Sequence, residues 1–331
     1  MRSPYLSLGS ARRVAVTVAI LMIAGMGVSA ASAAAPPPAQ TSGGSGTGWL
    51  PTTPDQWPLV VDENTSAPQT ITRGITHTTD SVDTVGGAQK AQVLNVDLSD
   101  PNVRLGVVES HDAIADPANE TVSSMANRTG AVAGINADFF NIYGNGSPEG
   151  MVIRDGRLVK SPSPSWPADL GVRPDGSLVI GTQAYAGTVT DGTATHALAS
   201  VNTTDTLSGD GITRVTPDLG ATPIPASTVV TGHTSANGTS LTVDSVATTV
   251  TSLPTLAAGT QDLVGTKTSG QWLASNVKAG DTVALAETIS PDNNLSQAVS
   301  GAPSSSLTGP SRSRYRAAGR TTSTTQSPAS A

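Results

Sequence analysis

The chain has 331 residues, enough for one large domain or two of ordinary size, and few of them are aromatic. It carries 25 acidic residues against 18 basic ones, a formal net charge of −7. Nucleic acid is therefore not an expected partner, because binding its phosphates needs a basic surface. Cysteine is absent, which excludes disulfides, thiolate metal sites and cysteine nucleophiles.

The first residues have the three parts of a signal peptide. Arg12 and Arg13 precede an apolar run from Val14 to Val28, and Ala31-Ser32-Ala33 forms a small-residue cleavage site. The pattern predicts a signal peptide over residues 1–33 and a mature protein that is secreted or associated with the cell wall. No later run is long and apolar enough to predict a membrane span after the signal is removed.

A flexible linker is predicted from residue 34 to residue 69, because this stretch is rich in proline, glycine and serine. Two strands are predicted next, over residues 91–98 and 103–108, with a turn between them. A helix is then expected, capped by Asp116, with Pro117 in its first turn, and ending before Gly130. Its apolar stripe is formed by Val122, Met125 and Ala126.

Rare residue types cluster between Gly130 and Pro162. Residues 132–135 predict a short strand, and residues 151–159 predict a hairpin that turns at Arg154-Asp155-Gly156. The loop between them is rich in asparagine and glycine and holds both phenylalanines of the chain, Phe139 and Phe140. Loops with this composition expose polar side chains and often carry function.

The rest of the chain is predicted to be mainly strands. Residues 170–180 form a hairpin that turns at Pro174-Asp175-Gly176, and residues 182–289 predict a β-rich subdomain divided by turn signals. Trp166 is suited to stack on a sugar ring or to fold back over the core. Turn and ion-pair roles are favoured for Asp210, Arg214 and Asp218, and surface positions for the four isolated histidines, which are His77, His111, His196 and His233.

The motif region resembles a known family. The run Ala-Gly-Ile-Asn-Ala-Asp-Phe-Phe at residues 133–140, the glycine-rich loop after it, and Val-Ile-Arg-Asp-Gly-Arg-Leu-Val at residues 152–159 resemble the N-terminal half of the phosphodiester glycosidases. The similarity extends over roughly residues 71–289, and Asp138 replaces the family's usual glycine. The resemblance implies a hydrolase that removes a sugar such as N-acetylglucosamine from a sugar-1-phosphodiester, here in a cell-wall or capsular glycan.

Candidate site residues follow from the resemblance and from the loop chemistry. Glycosidic cleavage uses an acid or base beside the sugar, and carboxylates flank this loop. The expected catalytic carboxylates are Asp138 and, second, Glu149; the expected substrate-binding residues are Asn136, Phe139, Phe140 and Arg154. No cofactor and no metal is expected, although Asp138, Asn141 and Asn145 also offer oxygens suited to calcium.

Two alternatives stay open at this point. In a structural role, the phenylalanines would anchor the core while Asn136 and Asp138 would cap the turn. In a second functional class, the chain would be a non-catalytic secreted surface protein or glycan-binding protein. A cleft that receives Asn136 and Asp138 favours the enzyme, and burial with satisfied hydrogen bonds favours the structural role.

The sequence therefore predicts an α+β protein, with a mixed sheet and few helices in its N-terminal part and a β-rich subdomain after it. The predicted segments are a signal peptide (1–33), a linker (34–69), the N-terminal part of the glycosidase-like domain (70–180), a β-rich continuation or inserted subdomain (181–303) and a tail (304–331). The tail is expected to be disordered because it is polar and lacks acidic residues. The resemblance stops near Pro303, so a truncated, frame-shifted and inactive chain is expected.

Overall fold

The computed structural model describes residues 60–84, 87–116, 118–204, 207 and 209–301. The predicted signal peptide, most of the predicted linker, Pro117 and the tail lie outside these residues. The described residues form sixteen strands and two α-helices, which confirms an α+β, β-rich fold with few helices. No helix in this part of the chain is both long and apolar enough to cross a membrane.

An antiparallel sheet comes first. Its strands are β1 (Val60–Thr65), β2 (Gln69–Thr72), β3 (Ile75–Thr84) and β4 (Gly87–Val96), and β3 pairs with the other three. The linker prediction is therefore wrong for residues 60–65, because β1 pairs with the second half of β3. The predicted strand at 103–108 is also absent, and there the Val107 amide donates to the Gln297 side chain instead of to a neighbouring strand.

The first helix, α1 (Val122–Thr129), begins later than predicted. Its N-cap is Thr121, whose hydroxyl accepts a hydrogen bond from the Ser124 amide at 3.2 Å. The side chain of Asp116 is instead hydrogen-bonded to the side chains of Ser110 and His111. Gly130 ends the helix in the left-handed conformation, as its position predicted. Residues 132–135 are not a strand, because they join no sheet, and Gly134 and Ile135 line a cavity instead.

A five-stranded antiparallel sheet carries the two predicted hairpins. Its strands are β5 (Val152–Arg154), β6 (Arg157–Lys160), β7 (Asp169–Val172), β8 (Leu178–Gly181) and β16 (Gln297–Ser300), in the order β6-β5-β16-β7-β8. Asp155 and Gly156 both have positive φ, 52° and 76°, as a two-residue hairpin turn requires. The central strand β16 comes from the predicted β-rich part, so residues 297–300 belong to this sheet rather than to the subdomain.

The β-rich part is a closed barrel inserted between β8 and β16. Its strands are β9 (Ala184–Asp191), β10 (Ala194–Val201), β11 (Ile212–Val215), β12 (Thr222–Thr234), β13 (Ser240–Leu253), β14 (Thr260–Gly265) and β15 (Thr282–Ser290). In the barrel, β10 and β11 run parallel to each other, and the other neighbouring strands run antiparallel. The barrel is therefore the mixed sheet among the described residues. The second helix, α2 (Lys267–Asn276), was not predicted from the sequence.

Two apolar clusters hold these parts together. Every barrel strand contributes to an interior cluster that also includes Leu273 of α2, so this helix packs against the barrel interior. A second cluster joins the outer face of the barrel to the five-stranded sheet through residues such as Val264, Val215 and Val159. The sheet is therefore fixed against the barrel, and the motif loop that leads into β5 has a rigid support.

Candidate active site

A cavity of about 160 Å³ lies where the motif loop, the segment before residue 110 and α1 meet. The α1 side chains that line it are Val122, Met125 and Ala126, which are the predicted apolar stripe. None of the α1 residues is fully buried. The stripe therefore faces the cavity instead of a closed core, and the cavity has one apolar wall.

Asp138 lies in the opposite, polar wall. Its two carboxylate oxygens accept the backbone amides of Phe139 at 2.7 Å and Gly150 at 2.8 Å. Burial raises the pKa of Asp138 from its ordinary value of 3.8 to about 7, because the charged form is poorly solvated there. A carboxyl group with this pKa exchanges protons readily near neutral pH, as an acid or a base must.

Lys160 supports this wall and was missed by the sequence analysis. It is 2% exposed, and its ammonium group donates to the carbonyl oxygens of Glu149 and Gly150, each at 3.1 Å. Its positive charge lowers the pKa of Asp138, against the larger effect of burial. Lys160 ends the second strand of a hairpin, and nothing in its sequence context shows that this side chain turns inward.

The remaining motif residues divide between the cavity and the loop's own packing. Asn136 is exposed and lines the cavity, as does Phe140, which is 43% exposed. Phe139 also contacts the cavity, and its ring stacks on Trp166 with centroids 4.9 Å apart. Trp166 therefore folds back over Phe139, the second of its two sequence alternatives.

Two predicted site residues do not line the cavity. The Glu149 amide donates to the Phe139 carbonyl at 2.8 Å, which helps to close the loop. Arg154 is bonded to the carboxylates of Glu109 and Asp218, so its guanidinium belongs to an ion-pair network behind the wall. The sequence analysis expected Arg154 to bind substrate, where it would approach the phosphate, but its guanidinium does not line the cavity.

Glu109 does line the cavity, although the sequence analysis did not select it. It is only 6% exposed, and burial raises its pKa while Arg154 opposes that effect. The cavity thus has two carboxyl groups in its lining, the half-buried Asp138 from the motif loop and the buried Glu109 from the segment before α1. Only the tertiary structure brings them to the same cavity, because they are 29 positions apart in the sequence.

Two of the three residues considered for calcium, Asp138 and Asn145, have their side-chain oxygens engaged within the loop. Both Asp138 oxygens accept backbone amides, and the Asn145 side-chain oxygen accepts the Ser147 amide at 3.2 Å. Gly146 shows how tightly the loop is packed, because a side chain there would overlap the Asp116 carbonyl. Within the described residues, no group of three or more histidine and acidic side chains is arranged to hold a metal ion.

The other polar candidates have structural contacts. Asp210 accepts the Ser269 amide at the start of α2, which stabilises that helix terminus. Arg214 pairs with Glu287 at 2.8 Å within the barrel. The histidines pack or pair locally: His77 with Gln92, His111 with Asp116, His196 with Trp272 and His233 with Asp244.

The same fold occurs in solved structures. A hypothetical protein from Synechocystis matches 75% of this chain with a TM-score of 0.58 and 19% identity. A "Putative exported protein" from Burkholderia pseudomallei K96243 matches 73% of this chain and 72% of its own, with a TM-score of 0.55 and 15% identity. This chain covers 44% of the Synechocystis protein. No family model and no curated protein matches, so the comparisons show the fold alone.

Proposed function

We propose that this chain is an exported protein with a phosphodiester glycosidase type of site, and that the cavity binds the sugar of a sugar-1-phosphodiester. The observation that carries the proposal is Asp138, a carboxyl group with a pKa of about 7 in the wall of a cavity. Titratable groups perturbed by burial in this way concentrate at functional sites. The sequence resemblance supplies the substrate class, a cell-wall or capsular glycan.

In the proposed reaction Asp138 is the general base. Water attacks the anomeric carbon, and its proton passes to the Asp138 carboxylate. The bond between the anomeric carbon and the phosphate oxygen breaks, and the electron pair leaves with that oxygen. The products are the free sugar and a phosphomonoester, and the phosphate leaving group needs no added proton to depart.

Asn136 and the apolar wall have binding roles in this proposal. The exposed Asn136 amide lines the cavity and is able to donate to and accept from sugar hydroxyl groups. Met125 and its neighbours on α1 offer an apolar surface to a face of the sugar ring. A small-molecule site usually consists of a partly apolar cavity with a few polar groups that point into it.

Export is part of the proposal. The signal-peptide pattern at the N-terminus supports it, and the description of the Burkholderia pseudomallei protein as exported is compatible with it.

A non-catalytic, secreted glycan-binding protein is the second candidate. It is favoured by the two backbone amides that already occupy the Asp138 carboxylate, by the exposed Phe140 at the cavity and by the exposed Tyr143 in the same loop. Exposed aromatic rings suit stacking on sugars and need no reaction.

The two candidates are separated by measuring turnover and binding on the same full-length protein. Sugar-1-phosphodiesters with different sugars are incubated with wild type, Asp138→Asn and the control Asp175→Asn, which alters an exposed hairpin turn. In contrast to the inactive chain that the end of the resemblance near Pro303 predicts, we expect wild type and the control to release free sugar and phosphomonoester, and Asp138→Asn to lose at least about 100-fold in rate. Binding without release supports the second candidate, and neither binding nor release overturns both.

A further inference from the structure

Glu109 has an arrangement that structural stability does not explain. Its side chain is 6% exposed and lines the same cavity as Asp138. One carboxylate oxygen, Oε2, accepts from Arg154. The other, Oε1, is buried and has no hydrogen-bond partner within the described residues. A buried charge normally needs its remaining lone pairs satisfied, so a half-satisfied carboxylate costs the fold free energy.

The position of Glu109 is fixed from several directions. Arg154 holds Oε2 and is itself held by Asp218, at 2.9 Å. Arg128 of α1 donates to the Glu109 carbonyl at 3.1 Å. The next residues, His111 and Asp112, have φ values of 46° and 58°, a conformation that non-glycine residues rarely adopt.

Such strain persists only where surrounding contacts impose it, and it occurs often at functional sites. The contacts around Glu109 therefore hold a buried anion in place at a cavity wall. A fixed charge of this kind stabilises an opposite charge that develops during a reaction, because little reorganisation is needed when that charge appears.

We propose that Glu109 is the carboxylate that stabilises positive charge on the anomeric carbon, with Asp138 as the separate base. This inference rests on the proposed function and assigns its second carboxylate. Glu109 forms no bond and takes no proton in the step. The water proton goes to Asp138, the electron pair of the broken bond leaves with the phosphate oxygen, and the Glu109 charge lies opposite the carbon as that bond breaks.

Arg154 then has a positioning role rather than a phosphate-binding one. It keeps Glu109 ionised and oriented, while Asp218 and Asp112 share the guanidinium charge. In this arrangement Arg154 supplies a counter-charge to the buried carboxylate, and the other oxygen, Oε1, has no hydrogen-bond partner within the described residues.

The test compares two ligands of the same sugar configuration. One is an iminosugar whose protonated ring nitrogen imitates the positive charge, and the other is the neutral parent sugar. Calorimetry is performed on the full-length protein in the Asp138→Asn background, so that Asp138 contributes no charge. We expect the starting protein to prefer the cation by at least about 10-fold, and Glu109→Gln to reduce that preference to about 2-fold or less.

The neutral sugar and a control variant show whether the effect is electrostatic. Glu109→Gln keeps an oxygen that accepts from Arg154, so affinity for the neutral sugar is expected to change by less than about 3-fold. Asp112→Asn removes a carboxylate from the same ion-pair network without touching the cavity. We expect it to leave the preference for the cation unchanged.

The outcomes distinguish this inference from the function on which it rests. A folded Glu109→Gln protein that still prefers the cation overturns the role of Glu109, whether or not wild type releases sugar. Failure of wild type to bind either ligand overturns the proposed function and this inference with it. If Glu109→Gln does not fold, Glu109→Met is used, because it keeps a similar side-chain length and removes the charge, and an unchanged preference for the cation in that variant overturns the inference.

Discussion

Replacement of Asp138 by asparagine should change stability in a way that depends on pH. The variant removes a carboxyl group whose pKa burial raises from 3.8 to about 7. Each pKa unit corresponds to about 1.4 kcal/mol, so the ionised form costs the folded state up to about 4 kcal/mol. Asparagine carries no charge and avoids that cost.

The substitution also has a cost of its own. Asp138 accepts two backbone amides, from Phe139 and Gly150, and asparagine has only one oxygen to offer. One lost hydrogen bond destabilises by about 1 kcal/mol. The variant should therefore be about as stable as wild type at pH 4.5, where the unfolded chain has already released most of this proton, and about 3 kcal/mol more stable at pH 8.5.

The sign follows from proton binding. Between about pH 4 and pH 7 the folded protein keeps a proton on Asp138 that the unfolded chain has released. The wild-type free energy of unfolding therefore falls as pH rises through this range, whereas the contribution of asparagine is constant. The pH of equal stability lies within this window.

Urea unfolding at pH 4.5 and pH 8.5 measures the difference directly. Asp97→Asn is the control, because hydrogen bonds from Ser99 lower the pKa of Asp97 in an exposed turn. Because that pKa lies below the ordinary 3.8, the effect of its replacement should be nearly the same at pH 4.5 and at pH 8.5. If Asp138→Asn differs from wild type by the same amount at both pH values, the reasoning about burial at this site is refuted.

Three further predictions concern other parts of the molecule. Gly150→Ala should destabilise by about 2 kcal/mol in thermal unfolding, because the added methyl group would overlap Ser300; an unchanged melting temperature would contradict this. Asn136→Ala should slow sugar release about 100-fold but change stability by less than about 0.5 kcal/mol, since the side chain is exposed, and equal losses would indicate a structural role. Arg214→Met should cost about 1 kcal/mol in urea unfolding, because it removes the ion pair with the exposed Glu287, which keeps its hydrogen bond from Tyr185; a cost of about 3 kcal/mol would contradict this.

The hairpins were predictable because their signals are local. Asp155-Gly156 and Asp175-Gly176 each separate two apolar runs, and both mark turns between paired strands. The signal that ends α1, Gly130, was local in the same sense. The start of α1 could not be predicted in this way, because Thr121 and Asp116 are both suitable caps, and hydrogen bonds to Ser110 and His111 engage Asp116.

The predicted strands at 103–108 and 132–135 failed for a different reason. Their composition suits extended backbone, and part of each segment lines the cavity. A strand also needs a neighbour to pair with, and the sequence of one segment does not state which neighbour it meets. The pairing of β16 with β7 in the five-stranded sheet is also non-local, because β16 begins 128 positions after β7 begins.

By itself, the sequence determined that this protein is β-rich, where its turns lie, and which loop holds Asn136 and Asp138, since these properties depend on residues close together in the chain. Only the tertiary structure decided that the apolar stripe of α1 faces a cavity, that Arg154 lies behind its wall, and that Glu109 lies in it. The tertiary structure also decided the raised pKa of Asp138, because burial among segments distant in sequence produces it. Desolvation is a property of the assembled fold, and no single stretch of residues encodes it.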